Sequence, residues 1–137
     1  MTKKSKEQEI QQSALELQII EQQIKQMEEQ FNQIEMKKVE MDQLGLSLQD
    51  FKKSKNSDSF SDIGLGIYGK TKIIDDSNLL VNVGAGVYTT KKVEDVGEIL
   101  KKQSKELEKI AKEIVQNIQT LSMQAQVIQM NLEKISN

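Results

Sequence analysis

Ile63-Gly64-Leu65-Gly66-Ile67-Tyr68 returns twenty positions later as Val83-Gly84-Ala85-Gly86-Val87-Tyr88. Each copy reads β-branched, Gly, apolar, Gly, β-branched, Tyr. Paired glycines admit positive φ at a tight bend or a bulge between strands. Two copies therefore predict two similar β-hairpins. Between them, Asp75-Asp76-Ser77-Asn78 is a turn signal. Lys70-Thr71-Lys72-Ile73-Ile74 before it is β-prone, and Leu79-Leu80-Val81-Asn82-Val83 and Val87-Tyr88-Thr89-Thr90 after it read as strands. Lys55-Asn56-Ser57-Asp58-Ser59 reads as a polar connector ahead of the first hairpin.

Four short strands leave open edges and do not readily make a stable sheet alone. Closure with strands of other subunits removes the edges and supplies the missing area. Residues 54–92 are thus expected to drive oligomerisation through Ile63, Gly64, Gly66, Ile67 and Tyr68 in the first copy. Val81, Val83, Gly84, Gly86, Val87 and Tyr88 serve the second.

On either side lies a helical run. Steps of three and four from Ile10 pass through Ser13, Leu17, Ile20, Ile24, Met27, Phe31, Ile34, Lys38 and Met41. All but Ser13 and Lys38 are apolar, which marks a heptad seam over residues 5–53. Past Met41 the phase is expected to slip to Leu44, Leu48 and Phe51, with Gly45 where the old line passes. The second run, 93–136, gives Val93, Gly97, Leu100, Ser104, Leu107, Ala111, Ile114, Ile118, Leu121, Ala125, Ile128, Leu132 and Ile135. Each run holds roughly 45 residues and reaches on the order of 65 Å. Matched seams joined by a compact middle predict an antiparallel coiled-coil hairpin. Residues 1–137 form one domain on this view, mainly α with a small β region. No Pro is present to kink either helix.

Composition narrows the chemistry. Apolar residues make up 36% of the chain but aromatics only 4%, which suits a long thin core of Ile, Leu, Val and Met. Without His or Cys the usual zinc and soft-metal ligands are missing, as are Ser-His and Cys-His nucleophile pairs. All 19 basic residues are Lys, so bidentate Arg clamps on phosphate are unavailable. No enzyme, cofactor or metal is expected. The net charge of −2 and the interspersed Lys and Glu give no basic block for nucleic acid. The start lacks an apolar signal-peptide run and there is no Cys for disulfides, so a cytoplasmic location is expected. Gly69-Lys70-Thr71 mimics the end of a phosphate loop, but strand-like residues surround it rather than a helix start.

The order helix, two glycine-marked hairpins, helix resembles the α-type subunit of prefoldin, of the archaeal kind. Residues 79–96, from Leu79-Leu80-Val81 to Glu94-Asp95-Val96, are similar to the family's second hairpin and the entry to its C-terminal helix. Residues 62–74 resemble the first hairpin, with Asp62 where the family commonly carries Pro. The resemblance covers nearly the whole chain, the helical arms mainly in pattern. It implies a hexamer of two α and four β subunits, with the hairpins entering an intersubunit β-barrel and coiled-coil arms hanging from it. It also implies an ATP-independent holdase that passes unfolded proteins to a group II chaperonin.

The residues add a local expectation. Between Glu113 and Glu133 no residue is charged, yet the run is rich in Gln and Asn, too polar for a membrane span. Val115, Met123, Val127 and Met130 lie off the seam, as do Leu15 and Ile19 on the first arm. Exposed apolar residues ringed by uncharged polar groups suit transient contact with unfolded chains. The client-binding tip is expected at Leu15, Ile19, Val127 and Met130 with the terminal seam residues Ile10, Leu132 and Ile135. The rival is a structural coiled-coil scaffold that oligomerises through its β segment without binding clients.

Overall fold

The structure, a computed structural model, describes residues 3–136. Its elements run α1 (Lys3–Phe51), β1 (Asp58–Gly64), β2 (Ile67–Lys72), β3 (Asn78–Gly84), β4 (Val87–Lys92) and α2 (Val93–Ser136). The fold is mainly α: two long helices of a coiled-coil hairpin with two small antiparallel β-hairpins between them. The chain divides into two compact units, Met1–Lys37 with Leu107–Asn137, and Lys38–Glu106.

In the first unit, burial follows the heptad line. Ile10, Ser13, Leu17, Ile20, Ile24, Met27, Phe31 and Ile34 are half-buried on α1, while most residues between them are exposed. On α2, Ala111 and Ile114 are buried, and Leu107, Ile118, Leu121, Ala125, Ile128, Leu132 and Ile135 are half-buried. The seam works because one face recurs every 3.5 residues on slightly underwound helices. Met27 and Leu121 line a shared groove with Gln23, Gln26, Gln30, Asn117 and Thr120.

The second unit opens on a correction. Leu44 is 46% exposed, whereas Gly45 is half-buried and Leu48 is buried. The spacing Met41, Gly45, Leu48 keeps the alternation of four and three, so no slip occurs there. Angle around the helix decides burial, and a residue without a side chain holds its place on the seam. Only Phe51, half-buried in the last turn of α1, departs from the line.

Gly45 on α1 and Gly97 and Ser104 on α2 thin the packing here. They border an open groove of about 780 Å³ that Met41, Leu48, Val93 and Leu100 also line. A Cβ added at Gly45 or Gly97 meets nothing within 4 Å. Gly45→Ala and Gly97→Ala are therefore expected to stabilise the protein by about 0.5–1 kcal/mol each, through helix propensity. Urea unfolding followed by circular dichroism measures this, and a loss of stability in both variants would refute the open-space account.

Both hairpins share one construction. β1 pairs with β2 from Asp58↔Lys72 to Asp62↔Tyr68, then Gly64↔Ile67, with a bulge at Ile63. β3 pairs with β4 from Asn78↔Lys92 to Asn82↔Tyr88, then Gly84↔Val87, with the bulge at Val83. Asn82 Oδ1 accepts the Gly84 N–H at 2.9 Å and supports the second bulge. Two residues close each loop at positive φ: Leu65 at 52° and Gly66 at 77°, Ala85 at 51° and Gly86 at 73°. Positive φ at both central residues is the mark of a type I′ turn, whose twist matches that of the flanking strands.

β1 starts inside the stretch read as a polar connector. Its polarity is matched across the hairpin: Asp58 faces Lys72, and the Ser61 and Thr71 hydroxyls bond at 3.0 Å. Opposite charges and hydroxyl pairs stabilise facing strands as apolar pairs do. Leu65 and Gly66 form the first turn and β2 begins at Ile67, so the bend falls within the glycine pair, as it does at Ala85 and Gly86 in the second copy.

Leu65 and Ala85 occupy left-handed backbone that costs a non-glycine residue about 1–2 kcal/mol. Leu65→Asn is expected to recover about 0.5–1 kcal/mol of hairpin stability, since Asn tolerates this region best among non-glycine residues. A thermal melt of the variant at or below the parent midpoint would contradict that.

The ends of the elements are tied by backbone hydrogen bonds. Asn56 N–H donates to Ile73 O at 2.7 Å, Ile73 N–H to Ser57 O at 3.0 Å, and Val93 N–H to Ser77 O at 3.0 Å. Asp75 anchors the link between hairpins, its carboxylate accepting from Ser77 N at 2.8 Å, Asn78 N at 3.2 Å and Asn78 Nδ2 at 3.1 Å. The Ser77 N–H first, then the Asn78 side chain, hold the Asp75 carboxyl below the ordinary aspartate range. A carboxyl with a lowered folded pKa contributes stability above its unfolded value and loses it as pH falls through the folded one. Asp75→Asn should therefore lower the melting temperature at neutral pH and reduce its further fall below pH about 4. An unchanged acid limb in the variant would place the acid sensitivity elsewhere.

Candidate interaction surfaces

The β-hairpins present the first surface. Each is an isolated two-stranded sheet. Phe60, Asp62, Tyr68 and Lys70 share one face of the first, because directly paired residues point the same way. In the second, Leu80, Asn82, Tyr88 and Thr90 share the matching face. Of the residues assigned to oligomerisation, Ile63, Ile67, Tyr68, Val83, Val87 and Tyr88 are exposed, and Val81 is half-buried beside Leu79. Gly64, Gly66, Gly84 and Gly86 shape the two turns. Ile63 folds over Gly69, where an added Cβ would stand 3.1 Å from its Cδ1.

Sequence reasoning left four exposed apolar residues of this region out of the oligomerisation set: Phe60, Ile74, Leu80 and the fully exposed Leu65. Phe60 stands alone among Asp58, Ser59, Ser61 and Asp62, and its same-face neighbours along β1 are both Asp, so no period-two apolar signal marks it. Both glycine pairs close hairpins and lead into strands, and neither opens a helix that would cradle a phosphate.

The second surface lies on the outer sides of the helices in the first unit. Leu15 and Ile19 on α1 are exposed, as are Met123, Val127 and Met130 on α2, Met123 by 67%. Val115 is nearer the seam and only just exposed. The other expected tip residues, Ile10, Leu132 and Ile135, are half-buried in the seam. Exposed apolar side chains are not confined to this end. Met36 in the first unit and Val39, Leu46 and Ile99 in the second are also exposed, and no sequence signal had singled them out.

Lys52 Nζ lies 3.5 Å from Glu94 Oε1, with both side chains largely in solvent, and such pairs contribute little. The Glu94 carboxyl is held below its ordinary range by its own backbone N–H at the helix start and then by Lys52. Among the described residues, no group of three or more His, Cys, Asp or Glu is placed to hold a metal ion. Among them, too, no helix is long and apolar enough to cross a membrane.

The family model described as prefoldin subunit matches residues 20–137, which takes in most of α1, both hairpins and α2. The chain belongs to the prefoldin family. Prefoldin subunit alpha of Methanococcus aeolicus is 28% identical over 126 residues, covering 92% of this chain and 86% of that protein. Prefoldin subunit alpha of Methanoculleus marisnigri is 30% identical over 112 residues, covering 82% and 75%. That of Nitrosopumilus maritimus reaches 39% over a shorter stretch of 62 residues. The likeness is thus to prefoldin α subunits of archaea. A solved filamentous prefoldin from Methanocaldococcus jannaschii superposes with a TM-score of 0.72, covering 82% of this chain and 94% of its own, and its 14% identity speaks to the fold alone. Prefoldin membership carries a chaperone-type role and assembly with other prefoldin subunits.

Proposed function

We propose that this chain is the α-type subunit of an ATP-independent holdase, which captures unfolded proteins on its coiled-coil ends and passes them to a group II chaperonin. The single observation behind this reading is the pairing of two unlike exposed surfaces on one chain. The β-hairpins carry apolar faces and open edges, which calls for partner strands. Hetero-oligomerisation with prefoldin β subunits, two α with four β, answers that need by closing a shared β-barrel. The helical ends instead present scattered apolar side chains in uncharged surroundings, which suits weak and varied contacts. Several arms holding one client raise the combined affinity well above that of any single contact. Capture and release need no catalytic residue or cofactor, and the complex works in the cytoplasm.

A structural scaffold would share the hairpins but have no use for exposed Met and Val near the helix ends. The separating experiment mixes this chain with a prefoldin β subunit, confirms the complex by native mass, and follows light scattering of a heat-unfolded client without nucleotide. Suppression of aggregation supports the holdase. An assembled complex that leaves aggregation unchanged would leave only the scaffold. Titration calorimetry with ATP is expected to show no heat.

A further inference from the structure

Seam residues Ile118, Leu121, Ala125 and Ile128 fix the orientation of α2 in the first unit. Relative to them, Met123, Val127 and Met130 point away from α1, at outward positions of the heptad. All three are exposed. Gln119 and Gln126 flank them on one side and Gln124 on the other, also exposed. The apolar stripe ends at Thr120 and Lys134. It therefore spans about two helical turns, too short for a stable helix–helix seam with a neighbouring arm. No charged residue lies between Glu113 and Glu133, in a chain that is 29% charged.

We propose that this face of α2 grips short apolar segments of non-native polypeptides irrespective of their charge. The proposal rests on the holdase reading and specifies what that site accepts. The thioethers of Met123 and Met130 adapt to side chains of varied shape. A non-native segment also brings unpaired backbone N–H and C=O groups, and burying them without partners is costly. A glutamine amide offers both donors and an acceptor, so Gln119, Gln124 and Gln126 serve either kind. A neutral face neither attracts nor repels charges flanking the apolar segment. The Lys- and Glu-bearing surface elsewhere on the helices would discriminate.

The test uses the complex reconstituted with the β subunit and three fluorescent peptides sharing one apolar core, with acidic, basic or neutral flanks. Anisotropy at low and high sodium chloride gives each affinity. Parent affinities within about threefold across peptides and salt support the proposal, whereas a preference of about tenfold or a steep salt dependence overturns it. In the Gln119→Lys/Gln126→Lys variant, the acidic peptide should bind about fivefold or more above the basic one at low salt, and the preference should fade at high salt. Equal affinities in that variant would overturn the assignment. Met123→Gln/Val127→Gln/Met130→Gln should weaken all three peptides alike without changing the native mass. A changed mass would mean that a neighbouring arm covers the face, which also overturns the proposal. If client aggregation is suppressed but that triple variant binds the peptides like the parent, the face is wrong and the holdase stands. If the parent complex neither binds the peptides nor suppresses aggregation, the holdase reading fails as well.

Discussion

Val93→Asp is expected to destabilise the protein by about 3 kcal/mol, a fall of about 10 °C in melting temperature. Val93 is 1% exposed, the most deeply buried of the large side chains, and sits where β4 passes directly into α2. Its backbone N–H is committed to Ser77 O at 3.0 Å, so the side chain cannot swing out without straining that bond. Three effects compete. Losing the buried isopropyl group costs about 2 kcal/mol in transfer and cavity terms. Desolvating a carboxyl without a partner costs about 2 kcal/mol more, even if it takes up a proton. An acidic residue in the first turn of a helix returns only about 1 kcal/mol through the macrodipole. Burial wins over the dipole. Val93→Ala should cost about 2 kcal/mol and Val93→Ile well under that, which separates size from polarity. A Val93→Asp variant melting within a degree of the parent would show that this junction is not packed as described.

Val93 also shows what a sequence makes legible. Its place on the heptad line is readable from Gly97, Leu100 and Ser104 after it, but its depth is not. Depth depends on what the fold brings around it: its backbone N–H is taken by Ser77 O, and Leu48 and Leu100 border the same groove. The long seams were readable because burial on a two-stranded coil is almost a function of angle, and Ile, Leu and Met recur at the required angle. The same rule explains the misread slip. Gly45 holds its place by geometry, whereas Leu44, attractive by composition, lies on the wrong side. β1 was half hidden because its Asp58, Ser59 and Ser61 find polar partners across the hairpin, and hydropathy alone does not reveal matched polarity. The residues expected at the tip divided along the same lines. Leu15, Ile19, Val127 and Met130, off the seam, are exposed, whereas Ile10, Leu132 and Ile135, on it, are half-buried.

Removing residues 1–19 together with 123–137 is expected to leave assembly with the β subunit intact while weakening capture of a large client about tenfold or more. The cut takes away Leu15, Ile19, Met123, Val127 and Met130, and with them every exposed apolar residue assigned to the helix ends. It spares both hairpins and all of Lys38–Glu106, so the strands that need partners remain. It also keeps a working seam. Ile20, Ile24, Met27, Phe31 and Ile34 still face Leu107, Ala111, Ile114, Ile118 and Leu121, and the buried Ala111 and Ile114 are untouched. The shortened helices of about 30 residues are well above the length at which even isolated helices become marginal. Native mass should therefore fall only by the deleted residues, whereas client affinity loses the contribution of whole arms, which multiplies rather than adds. Loss of assembly would show that the ends support the oligomer. An intact truncated complex that holds clients as tightly as the parent would move capture to the exposed Met36, Val39 and Leu46 instead.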